Sequence, residues 1–240
     1  MSVWLAIDTA SDLASVAIGT PDRVLAAAEV GGARRHASML LPMLHTVLGE
    51  AGLVPARLAG VVLSDGPGSF TGLRVGAAAA FGLVRALGIP LHVAPSLMVR
   101  ARGVAGDDAR PIVAVADALR GEIYAGVYRF GPDSVETTVP AQTWSPEALM
   151  AAVEPPVTVV GDVPAALQDR FTAWSGRAVI GPPEGSPHAR HLLRLIGVSG
   201  GAVPVRPGEW EPTYGRPAEA QARWEAAHGR ALPHPTGRPR

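Results

Sequence analysis

The 240-residue chain has no cysteine, no lysine and no asparagine, and aromatic residues make up only 5% of it. Without cysteine there is no disulfide, no thiol nucleophile, no iron–sulfur cluster and no Cys-ligated zinc. Without lysine there is no Schiff base and no phosphate-loop lysine. Charge is sparse as well: 18% of residues, against roughly 25% in an ordinary soluble domain. The 21 cations are all arginine and are balanced by 21 acids. Zero net charge with no basic tract argues against the chain holding nucleic acid by itself, because that affinity comes mainly from cations on phosphates. Met1-Ser2-Val3-Trp4 lacks the basic-then-apolar plan of a signal peptide. The longest apolar run, 75–84, is too short for a bilayer and is flanked by Arg74 and Arg85. The expectation is a cytoplasmic protein with no membrane contact. Alanine, at 41 positions, and Gly plus Pro, at 28 and 23, fill the space left by the missing types.

Hydrophobic patterning predicts strands over 3–7, 14–19 and 24–30, the last two joined by the turn Gly19-Thr20-Pro21-Asp22. A helix over 38–51 follows, with Leu40, Leu44, Val47 and Leu48 on one face and Met39 and Met43 on another. Next come a strand over 60–64, a long helix over 70–87 closed by Gly88, and a strand over 91–94. After the joint at 103–108, a strand over 112–116 ends in Asp117. A turn at Leu119-Arg120-Gly121 and a strand over 122–130 follow. That echoes the opening plan of strand, Asp8, turn, strand, and predicts an α/β protein of two related halves. Further on, a helix over 146–153, a strand over 157–161 and a helix over 190–197 are expected. Seven prolines follow Val203. The expected division is 1–104, a reduced half over 105–224, and a disordered tail over 225–240.

The sharpest local feature is Ser64-Asp65-Gly66-Pro67-Gly68-Ser69-Phe70-Thr71-Gly72-Leu73-Arg74-Val75-Gly76. A Gly-rich turn joining a buried strand to a helix is one geometry that offers backbone N–H groups to an anion. It is equally a tight turn in which Gly66 and Gly68 supply permissive dihedrals and Ser69 or Thr71 caps the helix. Asp8 and Asp117 each close a strand, where a carboxylate holds a hydrated magnesium in some folds and simply begins a turn in others. Gly72, Gly76 and Ala80 recur every fourth residue along the long helix. That small stripe lets another backbone come close, either the protein's own sheet or a second subunit. No HExxH, no GxSxG and no His pair at i, i+4 is present.

Taken together, these segments resemble the TsaB (YeaZ) family. The resemblance rests on Leu5-Ala6-Ile7-Asp8-Thr9-Ala10, on His36-Ala37-Ser38-Met39-Leu40-Leu41-Pro42-Met43, and above all on Gly66-Pro67-Gly68-Ser69-Phe70-Thr71-Gly72-Leu73-Arg74. It is dense over 1–130 and sparse after that. It implies an actin-like, sugar-kinase-like fold of two ribonuclease-H-like halves, the second reduced. It also implies a non-catalytic assembly subunit in making threonylcarbamoyladenosine in tRNA. The catalytic TsaD-type relative carries an HxxxH metal pair after the equivalent of Leu91. Here only His92 stands near, before Val93-Ala94-Pro95-Ser96-Leu97-Met98-Val99. The family often has arginine where Asp65 stands, so an acid there weakens anion attraction at the loop.

The resemblance therefore predicts no catalytic residue, no metal ligand and no cofactor for the chain alone, with ATP and a divalent metal entering through partner subunits. The expected partners are a TsaD-type catalytic paralogue and a TsaE-type ATPase, with a homodimer in isolation and tRNA met only indirectly. The expected interface on the first two helices is Met39, Leu40, Pro42, Met43, Leu73, Gly76, Ala77, Ala80 and Phe81. A nucleotide or anion site, if the chain has one, is expected at Asp8, Gly66, Gly68, Ser69, Thr71 and Asp117. The competing expectation is an enzyme of the same superfamily, an ATP-binding phosphotransferase or a peptidase-like protein.

Overall fold

The computed structural model describes residues 2–32, 35–106 and 110–215; the tail over 225–240 lies outside the described residues. Two sheets carry the fold. In the first, β1 (Trp4–Asp8), β2 (Leu13–Gly19) and β3 (Val24–Gly31) form an antiparallel meander. β4 (Gly60–Ser64) then runs parallel to β1, and β5 (Leu91–Ala94) parallel to β4. In the second, β6 (Ile112–Asp117), β7 (Ile123–Phe130) and β8 (Val135–Trp144) repeat the meander, and β9 (Thr158–Gly161) runs parallel to β6. The echo read from the sequence is thus an echo in topology. Two such halves are the actin-like, sugar-kinase-like architecture, with the second half smaller.

Side-chain alternation decides how the layers stack. Leu5 and Ile7 face α1 (His36–Glu50) and α2 (Phe70–Leu87), while Ala6 faces the other way. Val113 and Val115 face the outer helices α4 (Pro146–Ala152) and α5 (Ala165–Ser175), whereas Ala114 turns inward. Between the sheets lie α3 (Ser96–Val104) and α6 (Ala189–Leu193), packed on the small inward residues Ala6, Ala17, Ala94 and Ala114. By length and composition α2 could cross a membrane; here it lies along the sheet, with Leu73, Ala77, Ala80 and Val84 buried.

Four elements were not expected. β8 is an edge strand whose exposed residues include Glu136, Thr137 and Thr138, and so lacks an apolar signature. β10 (Val203–Val205) brings the chain back to pair antiparallel with β5, and its Pro204 is tolerated at the sheet's edge. α3 buries Arg100, a residue type that reads as surface. α5 buries only Phe171 and Ser175. The last helix is also shorter than the expected 190–197.

Candidate functional site

A cleft of about 1020 Å³ opens beside the turn that follows β1, the start of α2 and the β6–β7 turn. Ser11, Asp12, Gly68, Ser69, Phe70, Arg100, Asp117, Leu119, Arg120, Asp162, Tyr124 and Tyr214 are among the residues that line it. Of the six expected anion-site residues, the structure brings Gly68, Ser69 and Asp117 to this cleft and leaves Asp8, Gly66 and Thr71 out of its lining.

The Gly-rich segment behaves as a structural turn. The Ser69 N–H donates to Ala10 O at 2.8 Å, and Ser69 Oγ caps α2 by accepting from the Gly72 N–H at 3.2 Å. A Cβ on Gly68 would sit 2.1 Å from Ala10 O. Gly66 has φ +107 and meets Thr213 O, so only glycine fits under the chain's closing segment. The loop's shape is therefore set by the backbone it meets at Ala10 and Thr213.

Asp8 and Asp117 do not form one metal site. Asp8 is fully buried at the end of β1, and Oδ1 accepts from the Ala10 N–H at 3.1 Å. Burial pushes its carboxyl up to about 6, partly opposed by the Ser64 hydroxyl, the Ala10 amide and the Arg100 charge. Asp117 is exposed and accepts from the Leu119 N–H at 2.7 Å, starting a turn in which Leu119 and Arg120 have φ +61 and +57. Among the described residues no group of three or more His, Asp or Glu could hold a metal ion. His92 is packed edge-on against Trp4 at 4.8 Å, and burial lowers its pKa. The residues present therefore do not fit magnesium–ATP held by Asp8, Asp117 and this loop.

Three features of the site were missed. Arg100, on α3, is buried and donates from Nη2 to Asp162 Oδ2 at 2.8 Å across the cleft floor. The closing segment, 206–215, lies along α2: Trp210 meets Phe81 edge-on at 5.8 Å, and Tyr214 meets Phe70 at a tilt, with ring centroids 4.7 Å apart. The Arg74 guanidinium lies 4.1 Å over the Phe70 ring. Asp65 anchors that segment. Its backbone O accepts from the Thr213 N–H at 2.7 Å, and burial raises its carboxyl to about 6 against donors on Trp210 and Thr213. Partners some 150 residues away in sequence leave no local signal.

The helix interface needs correction. Leu40, Met43, Leu73, Gly76, Ala77 and Ala80 are buried in the chain's own core and offer nothing to a partner. The stripe of small residues meets the protein itself: a Cβ on Gly72 would strike Thr9 O at 2.1 Å, and one on Gly76 would strike Thr9 Oγ1 at 2.4 Å. Phe81 is half-buried under Trp210. Of the expected set, Pro42 is exposed and Met39 half-exposed. Beside them stand Leu41, 66% exposed, and Ala78 and Gly82 on the outer face of α2.

The model of one family, TsaD, tRNA N6-adenosine threonylcarbamoyltransferase, matches residues 27–171. The tRNA threonylcarbamoyladenosine biosynthesis protein TsaB of Bacillus subtilis is 33% identical over 138 residues, covering 58% of this chain and 60% of the relative. TsaB of Escherichia coli is 31% identical over 154 residues, covering 64% and 63%. The matched segments thus span less than two thirds of either relative. Among solved structures, YeaZ from Pseudomonas aeruginosa superposes with a TM-score of 0.72 at 27% identity, covering 89% of this chain and all of that one. With a family model matching more than half its length and TsaB and YeaZ proteins on both sides of the comparison, the chain belongs to the TsaD-type family and, within it, to TsaB/YeaZ.

Proposed function

We propose that this chain takes part in forming N6-threonylcarbamoyladenosine in tRNA as a non-catalytic assembly subunit, docking on a TsaD-type catalytic paralogue through the outer face of α1 and α2. The observation that carries this reading is the division of those helices into two apolar faces. The inner face, with Leu40, Leu44, Val47, Ala77 and Val84, covers the sheet. The outer face keeps Leu41, Pro42, Ala78 and Gly82 exposed beside half-exposed Met39, Val75 and Ala79. A contiguous apolar face on a soluble domain marks a contact surface. Small residues at its centre let a second helix pair come close.

Support for a non-catalytic role comes from the site. Asp8 is out of reach of the cleft, and the loop amide at Ser69 is already engaged by Ala10. On this reading ATP and a divalent metal are held by partner subunits, a TsaE-type ATPase among them. A homodimer through the same face forms when no paralogue is present.

Size-exclusion chromatography with light scattering, with and without the TsaD-type paralogue, tests it. Leu41→Asp and Ala78→Arg should abolish co-elution while leaving the circular dichroism spectrum and melting temperature unchanged. Co-elution by both variants would overturn the docking face. Turnover of magnesium–ATP by the isolated chain would overturn the non-catalytic role.

A further inference from the structure

The zero net charge conceals a local imbalance where α3 and α6 end side by side. Arg102 lies in the last turn of α3, while α6 carries Arg190 and is capped by Arg194. Arg190 and Arg194 are four residues apart on helical backbone, so they share one face, and both are exposed. His191 joins the two helix ends, since a Cβ on Gly103 would lie 3.1 Å from its Nε2. The half-buried Arg102 keeps its guanidinium 5.6 Å over the Phe130 ring. Among the described residues none of the three arginines is in an ion pair; Glu29, the acid on this side of α6, is taken by His188 Nδ1 at 3.1 Å.

The field of this cluster reaches inward. Burial lowers His191 to about 3, and Arg190, His188, Arg194 and Arg102 lower it further in the same sense. Burial and then Arg194 lower Arg102 as well. Helix C-termini attract cations, but each supplies only about half a negative charge. Two ends offset about one arginine of the three and leave about two positive charges uncompensated. Guanidinium forks match phosphate oxygens in shape and charge. Leu192 and Leu193 of the same helix are buried, so the patch has charge without the apolar centre of a protein–protein interface. Its place in the fold also leaves it open: α3 and α6 pack on one face of the first sheet, and α1 and α2 cover the other.

We propose that Arg102, Arg190 and Arg194 form a contact surface for tRNA phosphates, used while a TsaD-type paralogue sits on the opposite side of the sheet. This rests on the role in tRNA modification proposed above and goes beyond the expectation that tRNA is met only through partners. Three phosphate contacts are too few to hold tRNA alone, in keeping with the zero net charge. They add to the grip of the paralogue.

The test is a fluorescence anisotropy titration of an end-labelled, unmodified tRNA transcript with the full chain and its paralogue, repeated from about 50 to 200 mM salt. Arg190→Gln with Arg194→Gln, both at exposed positions, should weaken binding at least about tenfold near 0.1 M salt. The slope of log affinity against log salt should flatten by about two, and by about three when Arg102→Gln is added. The paired Lys variant should keep the parent slope, and all variants should still co-elute with the paralogue. A double Gln variant that co-elutes and binds tRNA with the parent affinity and slope overturns the proposal. Unchanged tRNA binding together with lost binding of polyglutamate would give the patch to an acidic protein segment instead. If the parent chain itself fails to co-elute, the docking reading falls alone; the same parent-against-variant titration of the full chain by itself, at about 20 mM salt, then decides the patch.

Discussion

Asp8 is the most informative residue to perturb, because its environment sets both a sign and a size. Its carboxyl is fully buried, and burial raises it from 3.8 to about 6 in the folded chain. A folded-state pKa above the unfolded one means that the folded protein binds the proton more tightly. The stabilisation is complete below about pH 3.8 and is lost as pH rises through 6. The difference of about two pH units, at about 1.36 kcal/mol each, amounts to about 3 kcal/mol. Asp8→Asn keeps the shape and the acceptor for the Ala10 N–H but cannot ionise, so relative to the parent it should gain stability by up to about 3 kcal/mol between pH 4 and pH 7.5. The difference between the two proteins is the quantity to follow, because His191 acts in the opposite direction. Burial and the charges of Arg190, His188, Arg194 and Arg102 lower His191 to about 3, which adds stability as pH rises. Urea unfolding followed by tryptophan fluorescence at pH 4, 6 and 7.5 reads the difference in midpoint. A difference that stays constant across that range, or that shrinks as pH rises, refutes the account of a buried ionised carboxylate.

Further substitutions probe the packing. Ala77→Asp should unfold the chain, since it puts a charge in the core, whereas the neighbouring Ala78→Arg should leave the melting temperature unchanged; a stably folded Ala77→Asp would contradict the burial of that face. Gly76→Ala drives a methyl against Thr9 Oγ1, whose donation to Gly72 O at 2.8 Å ties α2 to β1. It should cost about 1–3 kcal/mol in denaturant unfolding, as overpacking does. Asp162→Ala strands the buried Arg100 guanidinium and should cost about 2 kcal/mol. Adding Arg100→Met to it should restore part of the loss, because no charge is then left unpaired; a double variant less stable than Asp162→Ala alone would refute the reasoning.

The strands that were legible are those whose two faces differ in size. Leu5-Ala6-Ile7 and Val113-Ala114-Val115 announce themselves as buried on both sides, and their pairing follows from the turn residues beside them. Elements at the margins were not legible, because β8, β10 and α5 bury too little for periodicity to show. The cleft was legible only in part for a different reason. Its lining comes from residues as far apart as Ser11, Arg100, Asp162 and Tyr214, and only the topology of two repeated meanders brings them to one place. Asp65 shows the same limit at a single position. Beside Gly66 it reads as a charge at an anion loop, and only the return of Trp210 and Thr213 turns it into an anchor.

The abundance of alanine bears on function through direction. On a helix, consecutive residues point about 100° apart, so Ala77 and Ala78 serve opposite purposes although the sequence does not distinguish them. Ala77 and Ala80 are spent inside, where Gly72 and Gly76 let α2 approach β1 closely enough for Thr9 to donate to Gly72 O. Alanine is spent inside a second time at Ala6, Ala17, Ala94 and Ala114, which bring α3 and α6 up against both sheets. The outer strip of α1 and α2, which the proposed docking uses, is bounded on α2 by Phe81 under Trp210 and by Arg74 over Phe70. The closing segment that makes those contacts also reaches the cleft, where Tyr214 is part of the lining. The proposed docking strip and the cleft are therefore edged by one stretch of chain, held at Asp65 through Trp210 and Thr213.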